Sequence, residues 1–158
     1  MRKTFLYRIY PTKAQATRLS AMLDECRWLY NHLLEQRQVY WEEAGMALSW
    51  YDQKAYIPFL KEERPALAAV HSQVLQNVSE RLDLAVRAFF RRVKAGQDPG
   101  YPRFRGVGRY ASLTYPQYGN GAKLHGGQLQ LSKVGNVEVV LHRPPQGTPK
   151  TVTIKRSS

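Results

Sequence analysis

Apolar and polar positions alternate along KTFLYRIY, residues 3–10, so that Phe5, Tyr7 and Ile9 face one side and Leu6, Arg8 and Tyr10 the other. That period, with its aromatic and β-branched residues, predicts a strand that Pro11 ends. The period then changes. Leu19, Met22, Leu23, Cys26, Leu29, Tyr30 and Leu33 recur at three and four, the stripe of a core-facing helix running to about Ala44. Thr12 with Gln15 three residues on fits a capping box at its start, and Gly45 fits its stop. Ser49-Trp50-Tyr51-Asp52 begins a second helix, with Asp52 in the first turn and Pro58 and Pro65 keeping it short or kinked. A third helix is predicted over about Ala66 to Ala95, burying Val74, Leu75, Val78, Leu82, Ala85, Phe89 and Val93.

After Gly96 the texture breaks up. Residues 99–158 hold nine glycines and six prolines, with short β-type runs between them. The candidate strands are 111–115, 122–124, 128–131, 136–142 and 150–156; Val137, Val139 and Leu141 alternate, as do Val152 and Ile154. Strand, three helices and strands in that order predict an α+β fold. The first strand should join the later sheet, a small antiparallel sheet or partial barrel, which makes the helices an insertion.

Charge sharpens this picture. The net charge is +12. Residues 1–83 carry 11 basic and 10 acidic side chains, whereas residues 84–158 carry 13 and 2, so nearly all the excess lies in the second half. Such asymmetry points to a polyanionic partner; a solvated basic surface is the bland alternative. The basic half reads as strands and loops, not as an amphipathic helix, which disfavours a membrane surface. The amino terminus has charge but no apolar core of a signal peptide, and no run of 18 apolar residues occurs, so neither a signal peptide nor a membrane span is expected. The lone Cys26 rules out an internal disulfide and a cysteine zinc site, and reads as a small buried hydrophobe.

Catalytic chemistry is thinly supplied. The basic half offers only Asp98 and Glu138 as carboxylates, and His32, His71, His125 and His142 lack ligand spacing. No nucleophile elbow or phosphate-binding loop is present, so no catalytic residue and no metal site are assigned. Nucleic-acid chemistry is better represented. GYPRFRG, residues 100–106, sets two arginines around a phenylalanine behind a turn. In an extended segment Arg103 and Arg105 project alike, to grip a phosphate backbone, while Phe104 packs inward as the loop's anchor. Tyr101, Tyr110, Tyr115 and Tyr118 add aromatics to the same region; each alone reads more readily as packing than as stacking. Arg87, Arg91 and Lys94 share one helical face, with Asp83 the acidic neighbour one turn earlier. Gln76 could read an adenine edge and Trp50 pack on a base; as a lone helical residue Gln76 also fits a plain solvent-facing position.

Five stretches together resemble a known family: FLYRIYPTKAQ, CRWLYNHLLEQR, SQVLQNVSERLDLAVRAFFRRVKAG, GYPRFRG, and SKVGNVEVVLHRP with KTVTIKR. In order and spacing they are similar to the amino-terminal part of the TnpB (OrfB) proteins, transposon-encoded RNA-guided DNA endonucleases related to type V CRISPR nucleases. The resemblance implies an antiparallel β wedge domain, a partial barrel, interrupted by a three-helix recognition insertion. Its first strand would span 1–11, the helix-turn-helix-like recognition part 12–98 and the rest of the wedge 99–158. The partners it implies are guide RNA and double-stranded DNA, and a full-length relative or a separate nuclease part, in the cytoplasm of a bacterium or archaeon at the nucleoid. DNA-motif contacts carry over to Trp50, Lys54, Ser72, Gln76, Thr114 and Tyr115. RNA contacts carry over to Arg2, Lys3, Arg8, Arg103, Arg105 and Arg109, and either nucleic acid could meet Arg87, Arg91 and Lys94. The family's RuvC-like carboxylates and zinc-ribbon cysteines are missing from this sequence; Mg and Zn are expected only in those absent parts, and no cofactor is expected in this chain. The implied role is binding without cleavage; the alternatives are one piece of a split nuclease, a shortened DNA-binding regulator, and a basic β-domain that binds protein.

Overall fold

The structure is a computed structural model that describes residues 2–157. Its elements run β1 (Arg8–Tyr10), α1 (Lys13–Ala44), α2 (Trp50–Glu63), a 3-10 turn (Pro65–Ala69), α3 (Ser72–Lys94), β2 (Ser112–Tyr115), β3 (Ala122–His125), β4 (Gln128–Leu131), β5 (Gly135–Val140) and β6 (Val152–Lys155). The α+β order read from the pattern holds. β1 pairs antiparallel with β5, so the chain's first strand does join the later sheet, in the order β1-β5-β4-β3. β2 and β6 form a second antiparallel pair, and the two sheets do not close into a barrel.

Local chemistry sets the helix ends. The Thr12 hydroxyl accepts from the Gln15 N–H while the Gln15 side chain accepts from the Thr12 N–H, the reciprocal box that satisfies two orphan donors. Ser49 and Asp52 repeat this at α2. Those bonds, the backbone one first, hold the exposed Asp52 carboxyl below its ordinary range. Gly45 takes the left-handed conformation, φ 61°, and ends α1 through its N–H on the Trp41 carbonyl.

The third helix begins later than its pattern predicts. Pro65 starts a 3-10 turn rather than an α-helix, Val70 turns extended, and α3 starts at Ser72. Its cap is His71, whose Nδ1 accepts from the Gln73 N–H at 3.2 Å. The buried stripe also differs: Ser79 and Val86 are buried, whereas Val93 lies exposed because α3 outruns the core by two turns. β1 is shorter than predicted, yet Phe5, Tyr7 and Ile9 still share the half-buried side.

One continuous apolar cluster runs from α1 (Leu23, Cys26, Leu33) through α2 (Ile57, Leu60) and α3 (Leu75, Leu82) to the sheets (Leu113, Leu131, Val137). α2 runs antiparallel to α1. Arg37 reaches Asp83 and Gln53, while Arg64, at the far end of α2, reaches Glu25. Polar clasps tie helices to strands. Gln15 donates to the Asn136 carbonyl at 2.8 Å, and Arg81 to the Ser112 carbonyl and Thr114 Oγ1 at 3.1 and 2.7 Å. Lys133 donates to the carbonyls of Ala68 and Val70, capping the 3-10 turn with a cation at its carbonyl end.

Candidate nucleic-acid interface

The 100–109 loop leaves α3 and folds back across the helices. Tyr101 packs edge-on against Phe89 of α3, ring centroids 5.0 Å apart. Four residues on, Asn31 of α1 clasps the backbone of Arg105: its Oδ1 accepts from the Arg105 N–H at 2.7 Å and its amide donates to the Arg105 carbonyl at 2.9 Å. The Arg105 guanidinium lies over the Tyr30 ring, 5.2 Å from its centroid. Tyr30 tilts against Tyr110, and Tyr110 in turn carries the Arg81 guanidinium at 5.1 Å. Arg105, Tyr30, Tyr110 and Arg81 thus form a cation-aromatic ladder from surface to core. Burial is the main cause that pushes the Tyr110 phenol well above its ordinary range.

This arrangement corrects the expected anchor. Phe104 does not pack inward; it is 53% exposed and lines the same cavity as both arginines. Asn31 and the Tyr101–Phe89 contact hold the loop, so Phe104 is not needed to hold it. The cavity, about 300 Å³, is lined by Tyr30, Ala85, Pro102 and Arg103 through Gly106, with Arg109. Among the described residues no carboxylate lines it. Arg91 and Lys94 are exposed on another face of α3 from Ala85, while Arg87 is held by Asp83 at 2.8 Å. Among the described residues the ion pairs are Arg37–Asp83, Arg64–Glu25 and Arg87–Asp83, so of the basic half's cations Arg87 alone is paired with a carboxylate.

The other predicted positions do not gather at this cavity. Arg2, Lys3 and Arg8 are exposed on and before β1; Lys3 lines a different cavity, about 410 Å³, which shares no residue with the first. Ser72 and Gln76 lie one turn apart at the start of α3, exposed and half-buried. Trp50 and Lys54 lie one turn apart at the start of α2, where the ammonium sits 4.9 Å from the indole centroid and the indole N–H is buried without a protein acceptor. Gln53, one turn into α2, reaches Arg37, and Arg37 reaches Asp83, which lies about two turns past Gln76 on α3.

Tyr115 is a correction. It is 0% exposed, packed beside His71 in the core, and offers no surface to DNA. Burial raises its phenol to about 12. Successive strand residues point to opposite faces, so Thr114 and Tyr115 cannot serve one surface. Thr114 points out, and its hydroxyl is taken by Arg81 and lies 3.1 Å from that of Thr153. The sequence reading missed Asn31 and Tyr30. An asparagine inside a run of strong helix formers costs helix stability unless its amide has a task, and that was the available signal.

Among the described residues no three His, Cys, Asp or Glu side chains gather as a metal site, and no helix is long and apolar enough to cross a membrane. Residues 1–46 match the helix-turn-helix domain of OrfB proteins. In this fold that span holds β1 and α1, and the next helix starts at Trp50. Over 99% of its length the chain is 32% identical to a Streptomyces pristinaespiralis protein named "Putative RNA-guided DNA endonuclease". It spans 39% of that relative's length. The resemblance to the OrfB (TnpB) proteins carried by the five motifs therefore holds, with the helix-turn-helix domain of that family at residues 1–46.

Proposed function

We propose that this chain is a nucleic-acid-binding part of an RNA-guided DNA endonuclease, holding guide RNA and reading a short DNA motif without a cleavage centre or cofactor of its own. One observation carries the reading. Arg103, Arg105 and Arg109 converge with a half-exposed Phe104 on a cavity that no carboxylate lines. Arginines there can neutralise phosphates while the phenyl face takes an unpaired base. Asn31 and Tyr30 fix the loop in advance, so little ordering entropy is lost on binding. The similarity to an RNA-guided endonuclease supports the same partners. In this reading Ser72 and Gln76, at the start of α3, face the DNA motif, and Arg91 and Lys94 offer phosphate contacts on another face of α3.

Fluorescence anisotropy with labelled RNA and duplex DNA tests it. Neutralising about six phosphates predicts a fall in affinity of about a thousandfold between 50 and 200 mM salt. Arg103→Ala should weaken all sequences alike and lower the salt slope by about 1, whereas Gln76→Ala should flatten preference among DNA motifs. Binding that ignores salt, or an Arg103→Ala variant with the parent's slope, would overturn the reading.

A further inference from the structure

The second cavity shares no residue with the first, and of its lining only Lys3 is among the nucleic-acid contacts expected from the sequence. We propose that it is a separate seat for one unpaired nucleotide of a single strand, the base stacking on the Arg143–Phe5 pair and the phosphate meeting Lys3. The inference rests on the nucleic-acid reading and adds a site to it.

The strand register builds this seat. β1 and β5 pair with Arg8 opposite Val140 and Ile9 opposite Val139. Continued past the ladder, the same register sets Phe5 opposite Arg143. Side-chain contacts extend the pairing that far. The Tyr7 hydroxyl donates to the Arg143 carbonyl at 2.8 Å, and the Tyr7 ring packs on His142, centroids 5.3 Å apart. The Arg143 guanidinium then lies over the Phe5 ring, 5.3 Å from its centroid. A guanidinium backed by a phenyl ring is a flat, cationic platform, and its outer face accepts a base by stacking.

The rest of the lining fits the same ligand. Lys3 supplies a compact charge for phosphate, Gln146 an amide with both donor and acceptor for a base edge, and among the described residues no carboxylate lines the cavity. The volume, about 410 Å³, suits a small-molecule-sized guest and not a helix or a duplex. A base inside a duplex has both faces covered by its neighbours, so the guest must be unpaired. Arg143 and Gln146 are exposed, and no ion pair among the described residues uses Lys3 or Arg143.

Anisotropy of the full chain with a labelled 12-nucleotide RNA, the same sequence as single-stranded DNA, and its duplex separates the possibilities. Phe5→Leu keeps the apolar packing and removes the aromatic platform. It should weaken single-strand binding roughly 5- to 100-fold with no change in salt slope and leave the duplex unaffected. Arg143→Gln should likewise weaken single strands, and Lys3→Gln, as a separate check of the phosphate contact, should lower the slope by about 1. The RNA-to-DNA ratio tells which strand the seat prefers. Photocrosslinking with 4-thiouridine RNA should mark the peptide that contains Phe5. Single-strand affinity within twofold of the parent in both the Phe5→Leu and Arg143→Gln variants, or equal losses on the duplex, overturns the proposal. If Arg103→Gln still weakens binding in that case, the general reading stands and this seat alone falls; if it does not, the general reading falls too. Should Phe5→Leu lower the melting temperature, the exposed Arg143→Gln decides.

Discussion

Replacing His71 by alanine removes three contacts at once, and together they join the helical insertion to the β-half. The Nδ1 atom accepts from the Gln73 N–H at the start of α3, and Nε2 lies 3.0 Å from Asn120 Oδ1 in the loop before β3. With Nδ1 accepting, Nε2 carries the proton and donates to Asn120. The ring also tilts against Tyr115, centroids 5.9 Å apart. A lost cap costs about 1 kcal/mol, a lost neutral hydrogen bond about 1 and an aromatic contact about 0.5–1.5. The sum is about 2.5–3.5 kcal/mol, or roughly 5–14 °C in melting temperature for a chain of this size. The joint is tight on its other side as well. Gly121 sits at φ 89°, and a Cβ there would lie 2.8 Å from the imidazole Cδ2, so Gly121→Ala should destabilise through the same ring.

The pH response follows from the same geometry. Burial first, then the coulombic push of Lys133 and Lys61, lowers the His71 pKa, with the Asn120 bond opposing. The folded state therefore favours the neutral ring, which the Nδ1 cap requires. Below the unfolded-state value, about 6.5, the unfolded chain binds the proton more readily. His71's share of stability is thus complete above that value and is lost as pH falls through the lower folded one. Urea melts at pH 7.5 and 5.5 check this. The parent should lose more stability in acid than His71→Ala does. A variant as stable as the parent at pH 7.5, or one with the parent's full acid loss, would refute the reasoning.

Three further outcomes are expected. Asp83 accepts from Arg37, itself only 7% exposed, and from Arg87, so Asp83→Ala strands a buried guanidinium and should cost about 3–5 kcal/mol in urea melts; the double replacement Arg37→Met with Asp83→Leu should recover much of it. Asn31→Ala removes both hydrogen bonds to the Arg105 backbone, about 1–3 kcal/mol of loop docking; hydrogen exchange over 100–106 should quicken and RNA affinity fall although every arginine remains. Cys26 is 0% exposed with its thiol pushed up to about 12, mainly by burial, so a disulfide reagent should modify it only in denaturant; prompt labelling of the native chain would contradict the packing.

Where a rule is local, the sequence suffices. Thr12 with Gln15, Ser49 with Asp52, and Gly45 each fix a helix end from residues within one turn, and all three ends stand where the pattern puts them. The alternation of Phe5, Tyr7 and Ile9 likewise survives beyond the hydrogen-bonded length of β1. The start of α3 fails for a physical reason. Its cap is an imidazole, outside the usual Ser, Thr, Asp and Asn set, and it works because Asn120, 49 residues away, orients the ring. Val93 fails because periodicity records an amphipathic helix but not how far its partners extend beside it.

The site was legible as composition and not as placement. That the second half holds 13 cations and 2 acids is read directly, yet their fates diverge. Lys133 caps a turn, Arg87 pairs with Asp83, and Arg105 covers Tyr30 in the open cavity that Arg103 and Arg109 also line. Nothing local distinguishes them, because each fate is decided by a group between 4 and 75 residues away. Phe104 shows the same dependence. In isolation an aromatic between two arginines is the natural anchor, since burying a phenyl ring is more favourable than leaving it wet. Once Asn31 clasps the neighbouring backbone, the loop has its anchor, and the ring is left for a guest. Tyr115 needed only the period-two rule: Leu113 and Tyr115 share a face, and that face is the core. A carried-over pair of adjacent strand residues should therefore be split, one inward and one outward, before either is assigned to a ligand.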